Sequence, residues 1–366
     1  MPTLFTPLTL RDLTIPNRAW LAPMCQYSVL GQDGVPTDWH LVHLGSRAQG
    51  GFGLILTEAT AVVPEGRISP QDTGLWNDEQ RDAWAPVVDF VHAQGSTIGG
   101  QLAHAGRKAS TYRGFPGEPT GSVPEDEGGW TSVGPTTDAF PGYAAPRALS
   151  AADLTAVVDA FAAAARRADQ AGFDVVEVHA AHGYLLHQFL SPLSNTRTDG
   201  YGGSFAGRTR LLLETVDAVR AAWPAGKPLF VRISATDWVE GGWTGDDSVR
   251  LSAVLKDRGV DLVDVSTGGN VLADIPVGPG YQLPFSAAIR AQADIPTGAV
   301  GLITSPQQAE EVLASGQADA VLLARAALRE PSWPLRAAAE LGLSWHDAPY
   351  PAAYTRGTWD DVRAAA

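Results

Sequence analysis

One local pattern repeats along nearly the whole chain: an apolar run, then an amphipathic or alanine-rich segment, then glycine before the next apolar run. The apolar runs are 18–24, 52–59, 97–104, 173–179, 228–234, 260–266, 295–301 and 318–324. Helical periodicity covers 78–94, 151–172, 208–223, 246–259 and 305–316. Gly95, Gly172, Gly226, Gly259 and Gly316 stand where a helix stops on a residue free to adopt left-handed backbone. Ser305-Pro306 supplies an N-cap with proline in the first helical position. Strands that are apolar throughout, rather than alternating, mark a parallel sheet covered on both faces. Eight strand–helix units are the number that closes an α/β (β/α)8 TIM barrel. The competing arrangement, an open doubly wound sheet, would carry a GxGxxG turn, and none occurs.

At 366 residues the chain exceeds an average domain, yet α/β barrels commonly reach such lengths as one unit. No Pro/Ser/Gly linker divides it, so residues 1–366 are read as a single domain. The stretch 106–150 is non-periodic and rich in Gly, Pro, Asp and Glu. It follows strand 3, which makes it a loop excursion over the barrel mouth, a lid or an interface element. Residues 341–366 form a C-terminal tail. A net charge of -14 lacks the basic footprint of a nucleic-acid or anionic-membrane binder. No apolar run approaches the ~20 residues of a membrane span. MPTLFTPLTLRDL is a poor signal peptide, so a cytoplasmic protein is expected. Cys25, the single cysteine, rules out an internal disulfide and a four-cysteine cluster.

Active sites of such barrels lie at the carboxyl ends of the strands. Read there, strand 1 offers Met24, Cys25, Gln26 and Tyr27, strand 2 Glu58 and Ala59, and strand 3 Gln101 and His104, with Arg107 and Lys108 beyond. Strand 4 supplies His179, His182 and Tyr184; strand 5 Arg232; strand 6 Ser266 and Thr267; strand 7 Gly301; strand 8 Ala324 and Arg325. The rim is rich in donors and short of acids, Glu58 excepted. A metal-dependent hydrolase would want several carboxylates and histidines converging on the ion. For His179 and His182 the nearest third ligand is His187, across a leucine-rich turn. A donor-rich rim suits an anion or an electron-rich carbonyl instead. The small residues of 297–306 and 322–328 could cradle a phosphate or could simply pack tightly.

APMCQYS (22–28), QLAHAGRKA (101–109), the block 176–210 beginning VEVHAAHGYLLHQFLSP, and FVRIS (230–234) resemble the old yellow enzyme family of flavin-dependent ene-reductases. Cys25 with Tyr27, and YTRGTW (354–359), resemble its thermophilic-like branch, close to the xenobiotic reductases. The likeness spans roughly the whole chain.

The resemblance implies a barrel that binds FMN non-covalently, uses NADPH or NADH as reductant, and reduces enones, enals or maleimides. It places Pro23, Met24, Cys25, Ala59, Gln101 and Arg232 against the flavin, and Gly301, Ala324 and Arg325 at its phosphate. Ala324 departs from the family's usual Gly-Arg; its N–H is kept unless the position needs positive φ. His179 and His182 would donate to the substrate oxygen, and Tyr184 would deliver a proton to Cα. Tyr27 would contact substrate. Arg356 and Trp359 would sit in an intersubunit tail, reaching a neighbour's site in a homodimer or dimer of dimers. Two other readings stay open: a catalytically silent flavin-binding redox barrel, and a metal- or thiol-dependent barrel hydrolase in which Cys25 is the nucleophile.

Overall fold

The computed structural model describes residues 1–359. Eight parallel strands close a barrel: β1 (Ala19–Leu21), β2 (Leu54–Ala61), β3 (Thr97–Ala103), β4 (Val175–Ala180), β5 (Leu229–Ser234), β6 (Leu262–Ser266), β7 (Thr297–Ala299) and β8 (Ala320–Leu323). Each pairs with the next, and β8 returns to β1 in the register Val321 to Ala19 and Leu323 to Leu21. All eight expected strands are present, so the TIM barrel stands.

Side chains alternate along a strand, so every second residue enters the barrel. Trp20, Leu54, Leu56, Val175, Phe230, Leu262 and Leu322 form one interior cluster, with Trp20 and Phe230 stacked at 5.8 Å. An antiparallel hairpin, Leu8–Leu10 with Leu13–Ile15, closes the amino-terminal end by adding Leu10 and Ile15 to that cluster. The outward positions Val176 and Val178 meet Leu154 and Phe161 of α3 (Ala151–Gln170) and Leu211 and Leu212 of α5 (Phe205–Ala222) in the larger core. Each such side chain contributes about 1.5–3 kcal/mol on burial, and truncating Phe161 to alanine would cost about 3–5 kcal/mol.

Helix starts follow local chemistry. Asn77 caps α2 (Asp78–Ala93), Ser150 caps α3, Thr244 caps α6 (Gly245–Asp257) and Ser305 caps α8 (Pro306–Ala314), each side chain accepting the N–H three residues on. Gly95, Gly172, Gly259 and Gly316 take positive φ as expected of helix stops. Gly226 does not. Its helix ends earlier, at Ala222, and Gly226 instead lets the N-terminal hairpin approach: its carbonyl accepts Asp12 N–H at 3.1 Å, and a Cβ there would lie 2.3 Å from Asp12 Oδ2. The leucine-rich turn after strand 4 is helical, as α4 (Leu185–Leu190), but the periodicity did not reveal α1 (Asp38–Gln49), α7 (Leu283–Ala293), α9 (Arg325–Arg329) or α10 (Trp333–Glu340), which are short or broken by Gly, His and Pro. No described helix is long and apolar enough to cross a membrane.

Candidate active site

The carboxyl end of β4 turns sharply. Ala181 O accepts Tyr184 N–H at 3.1 Å, and both central residues have positive φ, His182 at 59° and Gly183 at 72°. Two left-handed residues in succession make a tight turn, and for a histidine that conformation costs of order 1–3 kcal/mol. The neighbours hold it there. His182 N–H donates to Ser234 Oγ at 2.8 Å, and Lys108 Nζ donates to His182 O at 2.8 Å. Gly183 must be glycine, since a Cβ would lie 2.2 Å from Gly269 O.

The turn gathers three rings. His179 lies 5.2 Å from His182 and 5.1 Å from Tyr184, each pair edge to face. Ala181 N–H donates to His179 Nδ1 at 3.3 Å, which places the imidazole proton on Nε2. That Nε2 is 3.5 Å from His182 Nδ1, loose enough to be exchanged for a ligand atom. Burial lowers both imidazoles well below the usual histidine range, and Arg232 lowers them further. Each therefore offers one N–H as a neutral ring. Burial, then Cys25 and Asp72, raises the Tyr184 phenol well above its ordinary value, so its proton stays in place.

The neighbouring loop after β1 brings up Cys25 and Tyr27. Tyr27 is left-handed at φ 51°, and Gln26 N–H donates to Glu58 Oε2 at 2.8 Å. Glu58, the one acid expected on the rim, is buried and pairs with His40 Nε2 at 2.9 Å. A bulge in β2 between Leu56 and Ala59 turns these residues. Ala59 packs with Cys25, Tyr27 and Tyr184. Burial, Asp72 and Glu58 all push the Cys25 thiol upward, which disfavours the thiolate a hydrolase nucleophile needs. Gln26 Nε2 donates to the carbonyl of Met24, and Pro23 precedes it on the same loop.

Two cavities meet this cluster. One, of about 270 Å³, is lined by His182, Arg232, Ser266, Gly301, Ala324 and Arg325, so residues expected at opposite ends of the flavin line one hollow. Ala324 has φ -104°, so the position does not require positive φ, and alanine keeps the N–H where the family has glycine. Gly301 has φ +131°. Arg232 gives Nε and Nη2 to Ser266 Oγ at 3.2 and 3.0 Å. Gln101, buried on β3, donates to Glu177 Oε1 at 2.8 Å. A cationic end with small residues, and a guanidinium and carboxamide at the other, fit the phosphate and the pyrimidine edge of FMN. The second cavity, about 710 Å³, is lined by Cys25, Tyr27, Trp39, Phe115 and Leu328.

The 106–150 excursion reaches this mouth. Phe115 stands edge-on to Tyr27 at 6.0 Å, and Phe140 lies 4.8 Å from Lys108 Nζ. Arg107 is neither exposed nor in a salt bridge: it donates to the carbonyls of Asn270 at 2.7 Å and Asp138 at 3.3 Å. His187, the nearest third metal ligand by sequence, pairs instead with Asp237 at 3.0 Å. Among the described residues no group of three His, Cys, Asp or Glu is placed to hold a metal. Arg356 and Trp359 are not brought to the rim. Arg356 is exposed, and Trp359 lines a separate hollow with Glu330, Leu335 and Tyr354. Residues 360–366 of the expected tail lie outside the described residues.

Sequence reasoning missed Asp72, Glu177 and Asp264, all buried. The latter two carried a signal: each is a lone acid inside an otherwise apolar strand, VVEV and LVDV.

The sequence profile of the NADH:flavin oxidoreductase / NADH oxidase family matches residues 3–344. The chain is 49% identical over 356 residues to an NADPH dehydrogenase of Geobacillus thermodenitrificans (strain NG80-2), covering 97% of this chain and 98% of that one. Among solved structures it resembles morphinone reductase, with a TM-score of 0.76, 30% identity and coverage of 94% and 90%. It also resembles an old yellow enzyme homologue from Zymomonas mobilis, with a TM-score of 0.78, 28% identity and coverage of 96% and 99%. The chain belongs to the NADH:flavin oxidoreductase / NADH oxidase family, as an FMN-dependent NAD(P)H oxidoreductase of the old yellow enzyme type.

Proposed function

We infer that this oxidoreductase is an ene-reductase, reducing the C=C bond of α,β-unsaturated carbonyl compounds such as enones, enals and maleimides. The observation that carries the reading is the convergence of two neutral imidazoles and a neutral phenol beside the hollow lined by Arg232, Gly301 and Arg325. Bound FMN would supply a hydride, received from NADPH or NADH, to the electron-poor Cβ. Charge then grows on the carbonyl oxygen, where the N–H groups of His179 and His182 donate. The same contacts orient the alkene for attack. Tyr184 holds its proton on the phenol oxygen until Cα becomes basic enough to take it.

Gln101 and Arg232 would hold the pyrimidine edge, Pro23, Met24, Cys25 and Ala59 the ring, and Gly301, Ala324 and Arg325 the phosphate. Tyr27, which lines the apolar second cavity, would contact substrate. Arg356 and Trp359, exposed on their own chain, would complete the site of a neighbouring copy in a homodimer or dimer of dimers. The enzyme would work in the cytoplasm on small molecules. Anaerobic reduction by NADPH followed by mixing with cyclohexenone tests the reading. The oxidised flavin spectrum should return within seconds; a spectrum that stays bleached would leave a redox barrel without ene-reductase activity.

A further inference from the structure

Below the rim, the inward positions of β5 and β6 pair in register, Phe230 with Leu262, Arg232 with Asp264 and Ser234 with Ser266, while on β4 Glu177 pairs with Phe230 and His179 with Arg232. Glu177, Arg232 and Asp264, on three adjacent strands, put two acids and one guanidinium into one buried layer closed to water. Glu177 and Asp264 are fully buried, and Arg232 nearly so. Glu177 Oε1 accepts from Gln101 Nε2, while Oε2 has no hydrogen-bond partner. Asp264 Oδ2 lies 3.0 Å from Arg232 Nε, yet neither oxygen of Asp264 has a well-aligned hydrogen bond. Arg232 lines the hollow assigned to FMN. With both acids ionised the layer carries a net negative charge directly under that hollow; with one protonated it is neutral.

The groups facing Glu177 are Gln101 from β3, Arg232 from β5 and Asp264 from β6; His179, two residues along β4, is neutral. Glu58 of β2 is turned to His40 and Gln26. Burial first, and the Asp264 charge second, raise the Glu177 carboxyl to about 8. Arg232 and the Gln101 hydrogen bond only partly oppose them. An isolated buried carboxylate is too costly to keep ionised unless paired, and the single guanidinium is already committed to Asp264.

We propose that Glu177 is a proton-holding residue that sets the charge beneath the flavin and takes up a proton when the flavin is reduced in alkaline solution. Electrons arriving from NAD(P)H as hydride add negative charge above the layer, and that charge favours the neutral carboxyl. Glu177 Oε2 then gains a proton from solvent, forming one O–H bond, and returns it when the flavin is reoxidised. No bond in substrate or cofactor changes in this step. The inference rests on bound FMN and not on the alkene reading, because its test uses neither enone nor turnover.

The test is the midpoint potential of the FMN-loaded enzyme, measured with dithionite and a reference dye from pH 6 to pH 10. Glu177→Gln keeps the shape and removes the titration. The wild-type potential should fall more steeply with pH above the Glu177 titration than Glu177→Gln does, with the two curves coinciding near pH 6. Coincident curves across the range, or a constant offset at every pH, would overturn the proposal. Glu177→Asp, which retains a carboxyl, should keep the break at a displaced pH; a lost break would also overturn it. Should either variant fail to bind FMN, proton uptake by the native enzyme on photoreduction in weak buffer decides. It should rise per flavin between pH 7.5 and pH 9, where the reduced flavin is already anionic and its own uptake is constant, and the absence of a rise would refute the role.

Discussion

Lys108 Nζ donates to the carbonyl oxygens of His182 and Gly269, at 2.8 and 3.0 Å. The ammonium thereby clamps the left-handed turn to the loop after β6. It also lies 5.1 Å from the centre of the Tyr184 ring and 4.8 Å from that of Phe140. Burial, helped by Arg107, lowers its ordinary value to about 8, so most of it is charged at neutral pH. A residue on the 106–150 loop thus fixes the backbone that aims a histidine on another.

Lys108→Met removes the clamp and leaves His182 free to relax from its strained φ. We expect about a 10²-fold fall in kcat/KM for an enone, the scale that a displacement of about 1 Å imposes on positioned groups. Lys108→Arg should recover part of that loss. Steady-state kinetics with cyclohexenone at saturating NADPH would show it, and unchanged kinetics in Lys108→Met would refute the clamp.

His179→Ala or His182→Ala should slow reoxidation of the reduced enzyme by an enone about 10²–10³-fold, the effect of losing one donor at a developing oxyanion. The double variant should also lose affinity for phenolates, which mimic the enolate and give a charge-transfer band with oxidised flavin. Stopped-flow absorbance and a phenolate titration measure the two effects. Undiminished phenolate affinity would mean that the imidazoles do not bind the oxygen.

Much of this arrangement was legible because the physics acts locally. Apolar runs such as FDVVEV mark strands buried on both faces, and left-handed glycines such as Gly172 mark where helices hand over to them. Strand ends then place His179, Arg232 and Arg325 on one rim before any register is known. The charged layer was hidden for the converse reason. Glu177 and Asp264 lie on β4 and β6, 87 positions apart in numbering, and only the pairing of both strands with β5 brings them near Arg232. Gly226 misled for a related reason: a glycine that admits a distant hairpin reads, in sequence, like one that ends a helix.

Tyr184→Phe removes the proton held at the end of the turn while keeping the ring against His179. General-acid loss costs about 10²–10⁴-fold where nothing substitutes, and water at the mouth should keep the deficit at the lower end. Reoxidation by the alkene should therefore slow about 10²-fold, with flavin reduction by NADPH much less affected. Separate half-reactions in the stopped-flow instrument test this; equal slowing of both would assign Tyr184 to positioning alone.

The buried imidazoles also predict how the enzyme fails in acid. Burial lowers His43 and His104 to about 4, Arg47 and His40 contributing at His43. Unfolded histidine titrates near ~6.5, so between that value and about 4 the unfolded chain binds protons that the folded chain refuses. Their contribution to stability is complete above the unfolded value and is lost as pH falls through the window. Each such group adds up to ~1.4 kcal/mol per pH unit to the slope. His104 is the cleaner probe, because its Nδ1 accepts Gly106 N–H at 3.0 Å and burial is the only cause of its shift. His104→Gln should lower stability at pH 8 through lost packing yet flatten the decline between pH 6.5 and pH 4. Urea denaturation of both proteins at four pH values measures the two slopes. Parallel slopes would show that His104 takes up its proton in the folded state as readily as in the unfolded one.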